Sequence, residues 1–542
     1  MGGTMPGMLK RALAAVGMLL ATCAAAAPAQ QPADAGLFRM YQAGREIGRE
    51  TFRFSDRAFE STITIPLINL KLHTSATVSA AERVERADLE AFSLTADTLL
   101  RRYSAVADGD SLRLTQTAAS GEPRRWSKAA APEAVVPAQS VAAFIALVER
   151  AGRQDRTYRA WFPESDTTLA VTVAFRGDTA EVMLQVLRMT ATLSPAGRVQ
   201  VLDIPTQRVR VERFTGGPDS LPPLAGMRRP TPDYSAPADA AYTADDVRVP
   251  VRTARGDTFS LACTLTKPKA GGPRYPALVT VTGSGQQDRD ENLWPLVPDY
   301  RVFRQVAERL AVEGIAVLRC DDRQAGGSTG RVDSATTEDF ANDAAAQIAW
   351  LRSRSDVDPA RVAVIGHSEG GVIGPLLAAR DPRLAALVVM AGTAKNGVAV
   401  LKDQVSWPIE SAPGLASEER ARLTAEAIRA LVADTANPLV WLRWFRTYEP
   451  LPTARRVRQP VLIVQGALDR QVTAGQADTL GAAMRAAGNR DVTVRVFPRL
   501  NHLFLVSPTD GSPLEYAALP DVAVPGEVLD TIAVWLRQHL RR

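Results

Sequence analysis

The stretch GHSEGG at residues 366–371 sets a serine among glycines, between the apolar run RVAVI and the mixed run VIGPLLAAR. A sharp strand-to-helix turn needs glycine two residues before and two after its apex. Gly366 and Gly370 flank Ser368 at that spacing, with His367 and Glu369 completing the turn. A serine hydroxyl presented there is a candidate nucleophile for acyl transfer, but near neutral pH it needs a neighbouring base, usually a histidine held by a carboxylate. The chain has four histidines, so elimination is possible. His73 lies in a different domain, His539 falls in the last turns of the terminal helical run, and His367 adjoins the serine and is expected to point away from its hydroxyl. His502 remains, in FPRLNHLF just beyond the apolar run VTVRVF. For the carboxylate, Asp469 follows PVLIVQG in GALDRQV, so both residues are expected at the ends of strands on the same edge as Ser368.

Acyl transfer also needs hydrogen-bond donors for the developing oxyanion. The small-residue loop Gly283-Ser284-Gly285-Gln286 follows the apolar run PALVTVT. Ser284 is the expected first donor, with Gly285 beside it, and the backbone N–H of Glu369 is the expected second. An aromatic group at Trp407, Trp441, Trp444 and Phe445 is the candidate substrate-contacting surface. Asp288, Asp290 and Glu291 do not read as a calcium loop, because no glycine stands at the sixth position and no bidentate acid at the twelfth; with Arg289 they read as a loop-stabilising network. H-E-x-x-H and clustered Cys and His are absent from the sequence, so no metal site is expected.

The elements that must position these residues are legible from residue 242 onward. Short continuous apolar runs (PALVTVTG, IAVLRCD, RVAVIGHS, LAALVVMAG, PVLIVQG) alternate with segments of helical period, as in strands buried on both faces and joined by crossover helices. Thr336 is placed to cap one such helix, on which Phe340, Ala344, Ile348 and Leu351 share a face. The expected fold class is α/β, a doubly wound mostly parallel sheet with a helical cap insertion at about residues 395–455, an interval too long for an ordinary loop. A smaller, mostly antiparallel β domain is expected before it, over residues 30–215, from alternating patterns such as TTLAVTVAFRG. Residues 216–241, rich in Pro, Gly, Ala and Asp, read as a linker.

At the start, Lys10 and Arg11 precede a short apolar stretch and the run AAAAPAQ, which reads as a signal peptide over residues 1–29 cleaved after Ala29. A degraded lipobox at Leu20–Cys23 makes a lipid anchor at Cys23 the alternative. The expected localisation is periplasmic or secreted, with no transmembrane segment. Cys263 and Cys320, the two cysteines left, are too few for a disulfide scaffold and read as inert buried thiols, although pairing stays open. With 64 Lys and Arg against 59 Asp and Glu, spread without long basic blocks, nucleic-acid binding is not indicated.

From about residue 245 to the end, the chain resembles the α/β-hydrolases, in particular bacterial esterases related to the dienelactone hydrolase and prolyl oligopeptidase branches. The stretches that carry the resemblance are GSGQQDRDEN (283–292), LRCDDRQAGGSTG (318–330), GHSEGG, WFRTYEP (444–450), PVLIVQGALDRQV (460–472) and LNHLF (500–504). The order Ser, Asp, His matches that family. The resemblance implies hydrolysis of a small-molecule carboxylic ester by Ser368, Asp469 and His502, with no cofactor. Gln324 departs from the family's D-D-R-G-x-G, where glycine is expected. Two alternatives stand beside the esterase: a prolyl oligopeptidase-like serine peptidase or aminopeptidase, and a non-catalytic envelope-binding protein. Substrate, acyl length and oligomeric state are not readable from the sequence.

Overall fold

The structure is a computed structural model that describes residues 34–541 apart from short segments, the longest at 222–230 and 434–439. The proposed signal peptide and Cys23 lie outside the described residues, as does part of the expected linker.

Between Asp34 and Phe214 the described residues form one 15-stranded sheet. Its neighbouring strands run antiparallel except where Ala134–Val135 meets Arg156–Phe162. Alternation along the strands turns Phe38, Phe52, Ile63, Leu72 and Tyr158 into one core, against which the helix Val141–Arg150 packs. That helix begins on Ser140, whose side chain accepts from the N–H of Ala143. The buried carboxylate of Glu50 accepts from Ser140 Oγ and from the N–H groups of Val141 and Ala142. A negative group at a helix N-terminus satisfies donors that have no partner within the helix, which makes its burial tolerable.

The second sheet has eight strands: β1 (Tyr242–Arg252), β2 (Thr258–Pro268), β3 (Tyr275–Val281), β4 (Ala316–Cys320), β5 (Val357–His367), β6 (Leu387–Met390), β7 (Val461–Gly466) and β8 (Val492–Phe497). Their order across the sheet is β1-β2-β4-β3-β5-β6-β7-β8. The first two strands pair antiparallel, β2 meets β4 antiparallel, and every pairing from β4 to β8 is parallel. Every residue of β4, β6 and β7 is buried, which explains why these strands read as unbroken apolar runs rather than alternating ones. One core lies under the helices α2 (Thr337–Ser353), α3 (Gly370–Arg380) and α8 (Gly475–Ala486); the other lies under α1 (Val302–Val312) and α9 (Gly526–Leu540). Thr336 starts α2 with a reciprocal capping box to Asp339. Between β6 and β7 the chain inserts α4 (Gly397–Glu410), α5 (Ser417–Ala433), α6 (Val440–Thr447) and α7 (Pro450–Ala454).

One expectation is overturned here. Cys263 on β2 lies in register with Cys320 on β4, their Cα atoms 4.0 Å apart, and the two are joined in a disulfide rather than lying as separate inert thiols. Two cysteines 57 residues apart carry no sign of adjacency in the sequence; the antiparallel pairing of β2 with β4 brings them face to face.

Candidate active site

Strand β5 ends at His367 and α3 begins at Gly370, so Ser368 occupies the turn between them. Ser368 adopts φ of +55°, a left-handed conformation that costs a non-glycine residue about 1 kcal/mol or more and is typical of strained functional turns. The chain passes so tightly that a Cβ on Gly366 would stand 2.0 Å from the carbonyl oxygen of Gly370, and one on Gly370 would stand 2.1 Å from that of Val281. The Ser368 N–H donates to the Met390 carbonyl at 2.9 Å, which fastens the turn to the end of β6.

His502 follows β8 in a compact loop. Asn501 Oδ1 accepts from the N–H groups of Leu503 and Leu505, and the Tyr300 hydroxyl donates to the Leu503 carbonyl at 2.9 Å. The His502 Nδ1 lies 2.7 Å from Asp469 Oδ2, both residues being buried. Asp469 is held from three further directions: the N–H groups of Gln471 and Val472 donate to Oδ1, each at 2.8 Å, and Gln465 Nε2 donates to Oδ2 at 2.7 Å. With so many donors the carboxylate has one orientation, and its remaining direction faces the imidazole. The elbow and the His502 loop also touch directly, since His367 Nε2 lies 2.9 Å from the His502 carbonyl oxygen.

Ser284 and Gly285 sit in the exposed loop after β3, Gly285 at φ of +98°. A Cβ on the adjoining Gly283 would come within 3.3 Å of Ser368 Cβ, so this loop runs alongside the serine. Glu369 is the N-cap of α3, so its backbone N–H has no partner within the helix. Its buried carboxylate accepts from Thr337 Oγ1 and Trp441 Nε1, each at 2.6 Å, and from the Ser284 side chain. Burial pushes its pKa above the usual carboxylate range despite these donors. A cavity beside the turn is lined by Thr282, Gly283, Gly285, Asp322, Phe340 and Glu369.

The four aromatic positions diverge. Trp441 reaches the turn through Glu369 and stacks on Phe445, ring centroids 5.3 Å apart. Trp407 lies against the guanidinium of Arg470, next to Asp469. Trp444 instead stacks on Tyr448 and packs against the core of the sheet. None of the four lines the cavity beside the turn.

Asp288, Arg289, Asp290 and Glu291 are all buried. Arg289 bridges Asp321 and Asp246, Asp290 pairs with Arg319, and Glu291 Oε1 lies 2.6 Å from His367 Nδ1. Sequence reasoning treated these acids as one loop network and assigned no separate role to Glu291; the only signal was a run of charge inside an otherwise apolar domain. Gln324, where glycine was expected, takes φ of +59°, so the loop keeps the left-handed backbone that a glycine would favour. Among the described residues, no group of three or more His, Cys, Asp or Glu is placed to hold a metal ion.

Residues 297–509 match the family described as Serine aminopeptidase, S33. The chain is 31% identical over 281 residues to Esterase EstD of Thermotoga maritima, an alignment covering 50% of this chain and 64% of that protein. It is 43% identical over 91 residues to an uncharacterized protein of Mycobacterium tuberculosis, covering 17% of this chain and 31% of the relative. The chain therefore spans 64% and 31% of the lengths of these curated relatives. Among solved structures it is similar to the Pyrococcus furiosus esterase Pf2001, at 15% identity and a TM-score of 0.38, covering 56% of this chain and 94% of that one. It is also similar to Est1E from Butyrivibrio proteoclasticus, solved with ferulic acid, at 16% identity and a TM-score of 0.34, covering 52% of this chain and 97% of that one.

Proposed function

We propose that the part of this chain from residue 242 onward is an α/β-hydrolase domain and that the protein is a serine hydrolase that cleaves carboxylic esters of small molecules. Ser368 attacks the ester carbonyl while His502 takes its proton as general base. Asp469, bonded to Nδ1, keeps the other ring nitrogen available and stabilises the imidazolium as it forms. His502 then returns the proton to the leaving alkoxide, leaving an acyl-enzyme. Water, activated by the same imidazole, releases the acid. The N–H of Glu369 and the loop at Ser284 and Gly285 stabilise the oxyanion, each such donor being worth about 2.7–4 kcal/mol of barrier.

The observation that carries this reading is the left-handed φ of Ser368 on a turn whose preceding residue is hydrogen-bonded to the loop of the buried His502–Asp469 pair. The similarity to Esterase EstD favours esters. The helices between β6 and β7 act as a cap, from which Trp441 reaches Glu369 beside the nucleophile. The description of the matched family favours one second reading, an aminopeptidase acting through the same three residues. The chain is exported by its N-terminal segment, a reading that the Cys263–Cys320 disulfide supports because such bonds persist in oxidising compartments.

The test compares purified wild type with Ser368→Ala on p-nitrophenyl esters of graded acyl length and on aminoacyl and dipeptidyl nitroanilides. Ester turnover by wild type and none by the variant is expected. Ester turnover that survives in Ser368→Ala removes the serine mechanism, and turnover of nitroanilides alone replaces the esterase by the aminopeptidase.

A further inference from the structure

Both ring nitrogens of His367 face acceptors. Nδ1 is 2.6 Å from the carboxylate oxygen Oε1 of Glu291, and Nε2 is 2.9 Å from the main-chain oxygen of His502. A neutral imidazole carries a single N–H, so it cannot donate in both directions. A carbonyl oxygen accepts only, which obliges Nε2 to be protonated. The remaining proton lies between Nδ1 and Glu291, and imidazole is the stronger base by roughly two pKa units. Both partners are deeply buried: His367 and Glu291 are each about 2% exposed, and among the described residues Glu291 Oε2 meets no hydrogen-bond donor. A carboxylate that stays ionised at such a site needs a cation beside it, and His367 is the group bonded to it.

Resting on the serine-hydrolase reading above, we propose that His367 is a buried imidazolium, paired with Glu291, and that it acts as a positioning residue by donating through Nε2 to the main chain of His502. The pair thereby ties three chain segments together: the loop after β3, the turn that carries Ser368, and the loop that carries the general base. A base held to a few tenths of an ångström keeps its ring aligned with the serine, and a misplacement of about 1 Å costs up to about 100-fold in rate. The charged and titratable groups that face His367 are Glu291 from the β3 loop, the His502 ring at 4.9 Å between centroids, and Asp469 from the β7 loop. Burial alone would lower the His367 pKa, but the charge of Glu291 and its hydrogen bond outweigh this, and the net direction is upward.

The experiment uses the full chain labelled with 15N histidine, in which only four histidines contribute signals and the His367 variants assign the ring. At pH 7 the wild type is expected to show both His367 nitrogens protonated, and Glu291→Gln only one, because the amide can itself donate to Nδ1. Wild-type kcat is expected to fall at alkaline pH as the second ring proton leaves, and Glu291→Gln to lose that fall. His367→Asn keeps a donor towards Glu291 but not towards His502; its kcat should drop about 10- to 100-fold with KM changed less than about twofold. His367→Gln, whose longer amide reaches the His502 carbonyl, should recover most of the loss. A singly protonated ring in wild type, a folded His367→Asn with unchanged kcat, or a Glu291→Gln protein with the wild-type spectrum and pH profile would each overturn the proposal. If wild-type Ser368 fails to react with a fluorophosphonate, the serine-hydrolase reading falls instead, and the ring spectrum still reports the proton count of the pair.

Discussion

At the scale of single residues, chemistry concentrates where local preference is broken. Ser368 holds φ of +55° against the preference of its own backbone, and beside it His367 is buried against a carboxylate from another loop. Ser368→Ala is expected to lower kcat on a p-nitrophenyl ester by about 10⁶-fold, and Asp469→Asn by about 10⁴-fold through loss of the required tautomer, both read by steady-state kinetics. The raised pKa of His367 also has a consequence for stability. Its pairing energy is fully present below the unfolded value of about 6.5 and is lost as pH rises through the higher folded value. Urea unfolding should therefore show stability falling with pH above about 6.5 in the wild type, and this part of the slope should vanish in Glu291→Gln. The candidate nucleophile, base and carboxylate were legible because residue type and position at strand ends narrow the options severely. Glu291 was not, because a carboxylate's partner is decided by which loop passes beside it.

At the scale of elements, the turn and the β2–β4 pairing make the firmest demands. With a carbonyl 2.0 Å from where a methyl group would stand, Gly366→Ala cannot be accommodated without moving β5 away from α3. It is expected to abolish ester hydrolysis and to cost several kcal/mol, or about the scale of a severe core substitution, in a thermal melt. The disulfide closes a 57-residue separation, and on the chain-entropy account its removal by Cys263→Ala with Cys320→Ala should cost about 4 kcal/mol in urea unfolding. A loss well under 1 kcal/mol would show that the β2–β4 pairing holds without the bridge. Strand and helix types were readable in this domain since β4, β6 and β7 are buried throughout and α2 carries a capping signal. The cap aromatics were readable only as a group. Trp441 and Trp444 are three residues apart on α6, yet one meets Glu369 and the other packs on the core, a division set by the angle at which the helix docks.

At the scale of the whole molecule, a large antiparallel sheet precedes an eight-stranded, mostly parallel sheet flanked by helices, and no helix among the described residues is long and apolar enough to cross a membrane. The export proposal belongs to this scale. Expressed in a bacterium with an outer membrane, the protein is expected in the periplasmic or medium fraction with Gln30 as its first residue, read by intact mass; a mature chain beginning at lipid-modified Cys23 would favour the anchored form instead. What the sequence determined alone is the succession of elements and the residue types at their ends, because hydrophobic period and turn chemistry act over a few neighbouring residues. What only the tertiary structure decided is pairing at a distance: the Cys263–Cys320 bridge and the acceptors on both sides of His367. Each joins segments tens to more than a hundred residues apart, and the crossing of strands and loops that brings them together leaves no mark on either segment's local pattern.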